Sequence, residues 1–439
     1  MHDAPDVARP LRPVATPVVV VACVLALVAV VWHLWYLPLT EPGYGLFTNG
    51  IDTKVYRGGA RAVLHDTPLY SEPVYKVWQF TYPPFAALAL TPLGLLGPYE
   101  AFRLMNAVNV LCLLLLIFLT LRALRFRRDG RFWLTLVALA VAATLAEPVR
   151  TTIWNGQINL VLAVLVVGCL TLPLGRWRGV GVGLAAGIKL TPLFFAGYLL
   201  VTKQWRALVT ALVVFALTVA LGFAVLRGQA AEFWTGIGED TSRIGPVDAV
   251  ANQSFNGFFA RMGTVGVWHA PTWLWLPVGV VLAALGLYGA WRAYRVGAEM
   301  LAITLTGLTA CAVSPFSWGH HWVWLVPLLI IALVQAADAA RRDRPWTWLW
   351  WLAPAGVVAI GYTWRVGVLE DGVERWRFGS YRLFWPPEGR GWDTAVAVIG
   401  SGAYLWVFLA TVVVTLWWTA RVDPIRFKPN DVAAPVTSS

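Results

Sequence analysis

Long apolar runs follow one another through this chain, and they limit its possible folds more than any other feature. The runs at residues 17–36, 99–121, 207–226 and 273–291 are each about 20 residues long, the length a helix needs to cross roughly 30 Å of hydrocarbon. Stretches such as "LCLLLLIFLTL" have no period of two, which argues against the alternating strands of a membrane barrel. With 58% hydrophobic and 13% charged residues, the expectation is an all-α polytopic membrane protein. No small-x-small cleavage site follows the first run, so it reads as a retained helix rather than a signal peptide.

The net charge of +11 sits in short clusters between apolar runs. That placement suits positive-inside orientation signals and membrane lipids as surroundings, and gives no reason to expect nucleic acid. The four cysteines, Cys23, Cys112, Cys169 and Cys311, lie singly within apolar runs, without the spacing of a disulfide framework or a metal site. No phosphate-binding loop, dinucleotide fingerprint or internal repeat is present.

Placing Arg9 and Arg12 in the cytoplasm predicts a cytoplasmic tail over 1–16, one transmembrane domain over 17–420 and a second cytoplasmic tail over 421–439. The stretch at 83–97 is short and punctuated by proline, so it reads as re-entrant or interfacial. That choice keeps the five arginines of "RALRFRRDGR" inside. The run containing Lys189 and Pro192 is ambiguous. As one span it exports Lys203, Arg206, Arg292, Arg295 and "RRDR" at 341–344, whereas a hairpin of two short helices keeps them inside. About twelve membrane segments result, with external loops near 38–82, 148–157, 227–272 and 364–393. The polar clusters with chemical potential then share one external face.

Asp52 lies in "IDTKVYRGGARAVL", where Ile51, Val55 and Val63 have the spacing of an amphipathic helix on the outer membrane surface. Two readings stand side by side: a helix N-terminal acid paired with Arg57 or Lys54, or a partly desolvated general base. Lys189 interrupts an apolar stretch, as a residue that holds a ligand does, or as one that snorkels to the interface. "GHHW" places His320 and His321 at a helix end. No Asp, Glu or Cys is adjacent, so anion binding suits the pair better than a metal; interfacial anchoring is the plainer alternative. "WNGQIN" and "NQSFNG" supply Asn155, Gln157, Asn252 and Asn256, amides that suit hydroxyl-rich ligands and ordinary turns alike. Trp154 and Trp318 are the tryptophans best placed to stack on a sugar.

Taken in order, "IDTKVYRGGARAVLHDTPLY", "FTYPPFAALALTPL", "NGQINLVLAVLVV", "GLAAGIKLTPLFF", "NQSFNG" and "SPFSWGHHWVWLVPLL" resemble glycosyltransferase family 87. These are actinobacterial polyprenol-phosphate-mannose-dependent α-(1→2)-mannosyltransferases of the multi-span GT-C type, and the likeness runs over about residues 17–420. The resemblance implies the GT-C fold and a polyprenyl-phosphate mannose donor used on the outer face of the plasma membrane. It also implies a mannoside or lipoglycan acceptor, of the phosphatidylinositol mannoside or lipomannan type, and transfer with inversion. No cofactor or metal is expected. By the same resemblance Asp52 is the catalytic base, with Asp66 its nearby rival. The donor phosphate falls to Lys189 and His321, with His320 and Arg57 as further candidates, and Asn155, Gln157, Asn252, Asn256 and Trp318 are candidates for the acceptor. Two other functions compete: a GT-C transferase using polyprenyl-phosphate arabinose or glucose, or another acceptor, and a lipid or sugar transporter. Transport favours charges at the bilayer midplane and matched broken helices in two halves, and the chain shows one broken pair.

Overall fold

The computed structural model of the protein describes residues 11–423, apart from 44, 239, 265, 342–345, 363, 371–372 and 380–391. Both tails and "RRDR" thus lie wholly or partly outside the described residues. The chain opens with α1 (Thr16–Trp35), whose apolar side chains are largely exposed, as on a helix that faces lipid. The loop that follows carries α2 (Ile51–Leu64), α3 (Pro84–Ala89) and α4 (Thr91–Gly94), the last two broken from each other at Leu90 and Pro92. Its amphipathic α2 turns Val55, Tyr56, Ala60 and Ala62 inward and packs on α4 and on the long α5 (Pro98–Ala123).

After α5 come α6 (Gly130–Ala143), α7 (Glu147–Asn155) and α8 (Asn159–Thr171). The stretch at 148–157, expected as a plain external turn, is instead mostly helix. Pro148 suits its first turn, and Thr151 and Thr152 bond back to Glu147 and Pro148. Gly156 ends it in the left-handed conformation (φ 68°), and α8 leaves at 117° to α7.

The run containing Lys189 divides into α9 (Val180–Ile188) and α10 (Phe195–Val201). Lys189 stands between them in extended backbone, before a 3-10 turn at Thr191–Phe194. Proline at 192 lacks the amide a continuous helix requires. There follow α11 (Trp205–Val225), α12 (Arg227–Glu232), α13 (Phe255–Thr264), α14 (Trp275–Arg295) and α15 (Glu299–Val313). The loop at 227–272 therefore carries helices of its own. Beyond the 3-10 turn Gly319–His321 lie α16 (Leu325–Ala340) and α17 (Leu352–Gly361).

A hairpin of β1 (Trp364–Glu370) and β2 (Val373–Gly379) then adds two antiparallel strands, paired from Trp364 with Gly379 to Glu370 with Val373. The expected helical architecture otherwise holds: among the described residues every other element is a helix or a 3-10 or π turn. The last two are α18 (Trp392–Ser401) and α19 (Ala403–Thr419).

Among the described residues four helices, α1, α5, α11 and α14, are long and apolar enough to cross a membrane, and the bent pair α7–α8 makes a possible fifth. Shorter apolar helices fill the rest of this multi-pass membrane protein. The interior centres on α15 and α16, whose residues are nearly all buried. In α15, Thr304, Thr306 and Thr309 satisfy their hydroxyls on their own helix.

Basic turns are tied together at one end of the bundle. Arg12 pairs with Asp338 at the end of α16 and adjoins Arg125 and Arg127 in the α5–α6 turn. Arg122 donates to the Thr171 carbonyl at the end of α8. Arg178 joins Glu299 and Gln204, linking the α8–α9, α10–α11 and α14–α15 turns. Arg292 donates to Thr419, at the end of α19. Asp52, Lys189 and His321 lie on connections that none of these contacts involves.

Candidate active site

Asp52 occupies the first turn of α2, one helical turn before Tyr56. Behind it is a buried polar network. Tyr56 donates its hydroxyl to Gln157 Oε1 (2.6 Å), Gln157 Nε2 donates to the Tyr82 hydroxyl (3.2 Å), and the two phenols lie 3.1 Å apart. Burial raises the Asp52 carboxyl to about 7; a hydrogen bond from Gln157 and the nearby Lys189 charge pull the other way. Burial also holds Tyr56 and Tyr82 well above the ordinary phenol range, so both remain neutral. An acid poised near 7 in a water-poor site has the proton affinity of a general base for neutral pH.

Lys189 reaches the same region from the break between α9 and α10. Its ammonium donates to Asn159 Oδ1 (3.2 Å) and to His321 Nε2 (2.8 Å), and stands 5.8 Å from the centre of the Tyr82 ring. An ammonium can only donate, so His321 accepts through Nε2 and carries its own proton on Nδ1. Burial and the Lys189 charge keep the His321 imidazole neutral, far below its ordinary pKa. Asn159 Nδ2 has no hydrogen-bond partner among the described residues.

These three side chains line a cavity of about 40 Å³ together with Cys311, Pro192 and Trp324. The arrangement offers N–H donors and a positive charge beside Tyr82, and a proton acceptor, Asp52, near enough to feel that charge. An anion fits the first and a hydroxyl the second.

His320 is buried and lies edge-to-face against His321, with ring centres 4.9 Å apart. Its other face runs nearly parallel to Trp318 at 6.4 Å, and its Nε2 has no partner among the described residues.

Other expected residues are engaged elsewhere. Arg57 Nε donates to the Leu96 carbonyl (2.7 Å), tying α2 to the connection after α4. Asn155 accepts from Asn49, and Trp154 donates to the Gly43 carbonyl. Asn252 is fully buried: it donates to Val247 and accepts from Ser254 and the Ser317 amide. Asn256 donates to the Pro315 carbonyl, and Trp318 bridges to Asn252 and packs on Phe316. Gln157, expected at the acceptor, lies buried behind Asp52. Asp66 is exposed. Residue-by-residue reading missed Tyr56, Tyr82 and Asn159. The four-residue spacing from Asp52 to Tyr56 was the available signal for the first, and the quoted "FTYPP" and "NGQIN" contain the others.

The profile of glycosyltransferase family 87 matches residues 80–315, more than half of the chain. The chain belongs to glycosyltransferase family 87. Over 438 residues it is 31% identical to a Mycobacterium tuberculosis relative, a polyprenol-phosphate-mannose-dependent alpha-(1-2)-phosphatidylinositol mannoside mannosyltransferase, covering 93% of this chain and 96% of that protein. It is also 31% identical, over 85% of each chain, to the corresponding phosphatidylinositol pentamannoside mannosyltransferase of Mycolicibacterium smegmatis. An alpha-(1->3)-arabinofuranosyltransferase of Corynebacterium glutamicum is 28% identical over 86% of this chain and 87% of its own length. No solved structure matches significantly. As a family 87 enzyme, this protein is a membrane glycosyltransferase, and Tyr82, Gln157, Asn159 and Lys189 fall within the matched residues.

Proposed function

We propose that this glycosyltransferase moves mannose from polyprenyl-phosphate mannose to a hydroxyl of a mannoside or lipoglycan acceptor, forming an α-(1→2) link with inversion. The observation that carries the reading is the gathering of a half-buried carboxyl, Asp52, and the Lys189–His321 contact of 2.8 Å in one region: the Asp52 carboxyl feels the Lys189 charge, and Lys189 stands beside Tyr82. The names of the mycobacterial relatives supply the donor, the linkage and the phosphatidylinositol mannoside type of acceptor.

In this mechanism Asp52 takes the proton from the acceptor hydroxyl as that oxygen bonds to the anomeric carbon. The bond from that carbon to the phosphate oxygen breaks, and polyprenyl phosphate departs with its electron pair. Lys189 and the Asn159 amide donate to the departing phosphate, and His321 holds the ammonium in place. Each such contact is worth roughly 3 kcal/mol when it forms fully only in the transition state. Gln157 steadies Asp52 from behind. A leaving group neutralised in this way gives transfer without a metal.

The reaction is assigned to the outer face of the plasma membrane. The tied basic turns suit the cytoplasmic side, and the Asp52, Lys189 and His321 connections suit the opposite one. In this reading there are about twelve membrane segments, with α9 and α10 the short pair.

Transfer from synthetic polyprenyl-phosphate mannose to a mannoside, by the purified protein in lipid nanodiscs, is the test, with the product linkage read by NMR. A new α-(1→2) bond supports the assignment. Transfer only from polyprenyl-phosphate arabinose refutes the mannose donor and favours the chemistry named for the Corynebacterium glutamicum relative.

A further inference from the structure

Glu147 is a half-buried acid to which the proposed chemistry gives no role, and it stands at the start of α7 against the turn that carries His321. Tyr404 of α19 donates to its Oε2 at 2.6 Å, and Thr151 donates to its Oε1 at 3.1 Å. Its carboxylate lies flat on Gly319: a methyl group at that position would stand 2.5 Å from both oxygens. Only glycine allows this approach.

The turn is supported residue by residue. Glu147 covers Gly319, Thr152 donates to the His320 carbonyl (3.3 Å), the Cys311 thiol donates to the His321 carbonyl (3.3 Å), and Trp322 packs on Tyr404 with ring centres 5.4 Å apart. Of these supports Glu147 is the charged one, and it joins two separate helices, α7 and α19, beneath the turn.

We propose that Glu147 is a positioning residue: clamped by Tyr404 and Thr151, its carboxylate fixes the backbone at Gly319 and His320, and so sets His321 at bonding distance from Lys189. The carboxylate faces two hydroxyls, the backbone of the turn and the Arg150 charge, so it acts through the turn and not on the sugar. The inference rests on the proposed phosphate-binding role of Lys189 and His321, and its test separates the two.

In the full-length protein, Glu147→Ala, Glu147→Gln and Gly319→Ala are compared for transfer kinetics with synthetic polyprenyl-phosphate mannose, and for hydrogen–deuterium exchange of the peptide spanning 317–324. Glu147→Ala is expected to lower kcat about 30-fold or more with acceptor KM within about threefold, the signature of misplaced catalytic groups. Exchange in that peptide speeds up while peptides from α5 and α11 stay as in wild type. Glu147→Gln keeps an oxygen for Tyr404 and returns kcat to within about fivefold of wild type. Gly319→Ala, which presses on the same contact from the other side, reproduces the Ala phenotype even if Glu147→Ala folds poorly.

Unchanged exchange and unchanged kcat in Glu147→Ala overturn the proposal. So does a Gln variant as inactive as Ala with normal exchange, because charge rather than placement is then required. If the wild type transfers no mannose, the functional assignment fails, yet the exchange measurement still decides whether Glu147 holds the turn.

Discussion

Burial lifts the Asp52 carboxyl to about 7, and a pH response and a stability response both follow from that displacement. As the proposed base, Asp52 works only when ionised, so kcat/KM is expected to fall about tenfold per pH unit below 7. Gln157→Leu removes a hydrogen bond that favours the charged form, and the acid limb measured between pH 5 and 9 should move to higher pH. Stability runs the opposite way. An unfolded aspartate titrates near pH ~4, so the folded protein holds this proton more tightly, and stability declines as pH rises from there through about 7. Asp52→Asn should therefore cut transfer by about 100-fold or more while leaving the melting temperature at pH 8 equal to or above wild type. Asn252→Ala should do the reverse, costing about 2 kcal/mol of stability because the Ser254 and Ser317 amides lose a buried acceptor. Charges in an apolar chain announce themselves, so Asp52, Lys189 and His321 could be singled out from sequence. An amide looks the same whether it meets a ligand or a neighbour, and Gln157 and Asn252 show that difference only once their partners are known.

The elements that present these residues are short and depend on one another. Gly156 ends α7 at a positive φ, and Thr53 of α2 donates to its carbonyl at 3.2 Å. A side chain there meets both a strained backbone and the Thr53 hydroxyl. Gly156→Ala is thus expected to part α2 from α7, draw Gln157 away from Asp52, and reduce kcat/KM about 10- to 100-fold, with a melting temperature several degrees lower. Thermal melts and kinetics on one preparation check both halves. Hydropathy marked the long spans and, through Pro192, the break near Lys189. It could not mark α7, because nine residues reading "EPVRTTIWN" hold too few apolar positions to show a period. The hairpin at 364–379 does carry a signal, since Trp364, Val366 and Val368 alternate with Arg365 and Gly367, and Trp376 and Phe378 with Arg375 and Arg377, but it stands between apolar runs that dominate any window.

At the scale of the whole molecule, the proposed orientation rests on the cross-tied basic turns. With the four native cysteines replaced, single cysteines at Arg127 and Lys203 are expected to react with an impermeant maleimide only in inside-out vesicles, and at Glu72 and Trp273 only in intact cells. The opposite pattern would place the site in the cytoplasm. The site itself is composite: Asp52 comes from α2, Tyr82 from the segment before α3, Gln157 and Asn159 from the α7–α8 corner, Lys189 from the α9–α10 break, and His321 from the turn before α16. Synthesis delivers these pieces in that order, so the carboxylate is in place long before the imidazole that holds the lysine. A chain halted before the turn that precedes α16 would own the proposed base without a finished proposed phosphate cradle. On the proposed assignment, half-made enzymes would then leave the lipid-linked sugar around them untouched, and catalytic competence would arrive late in membrane insertion.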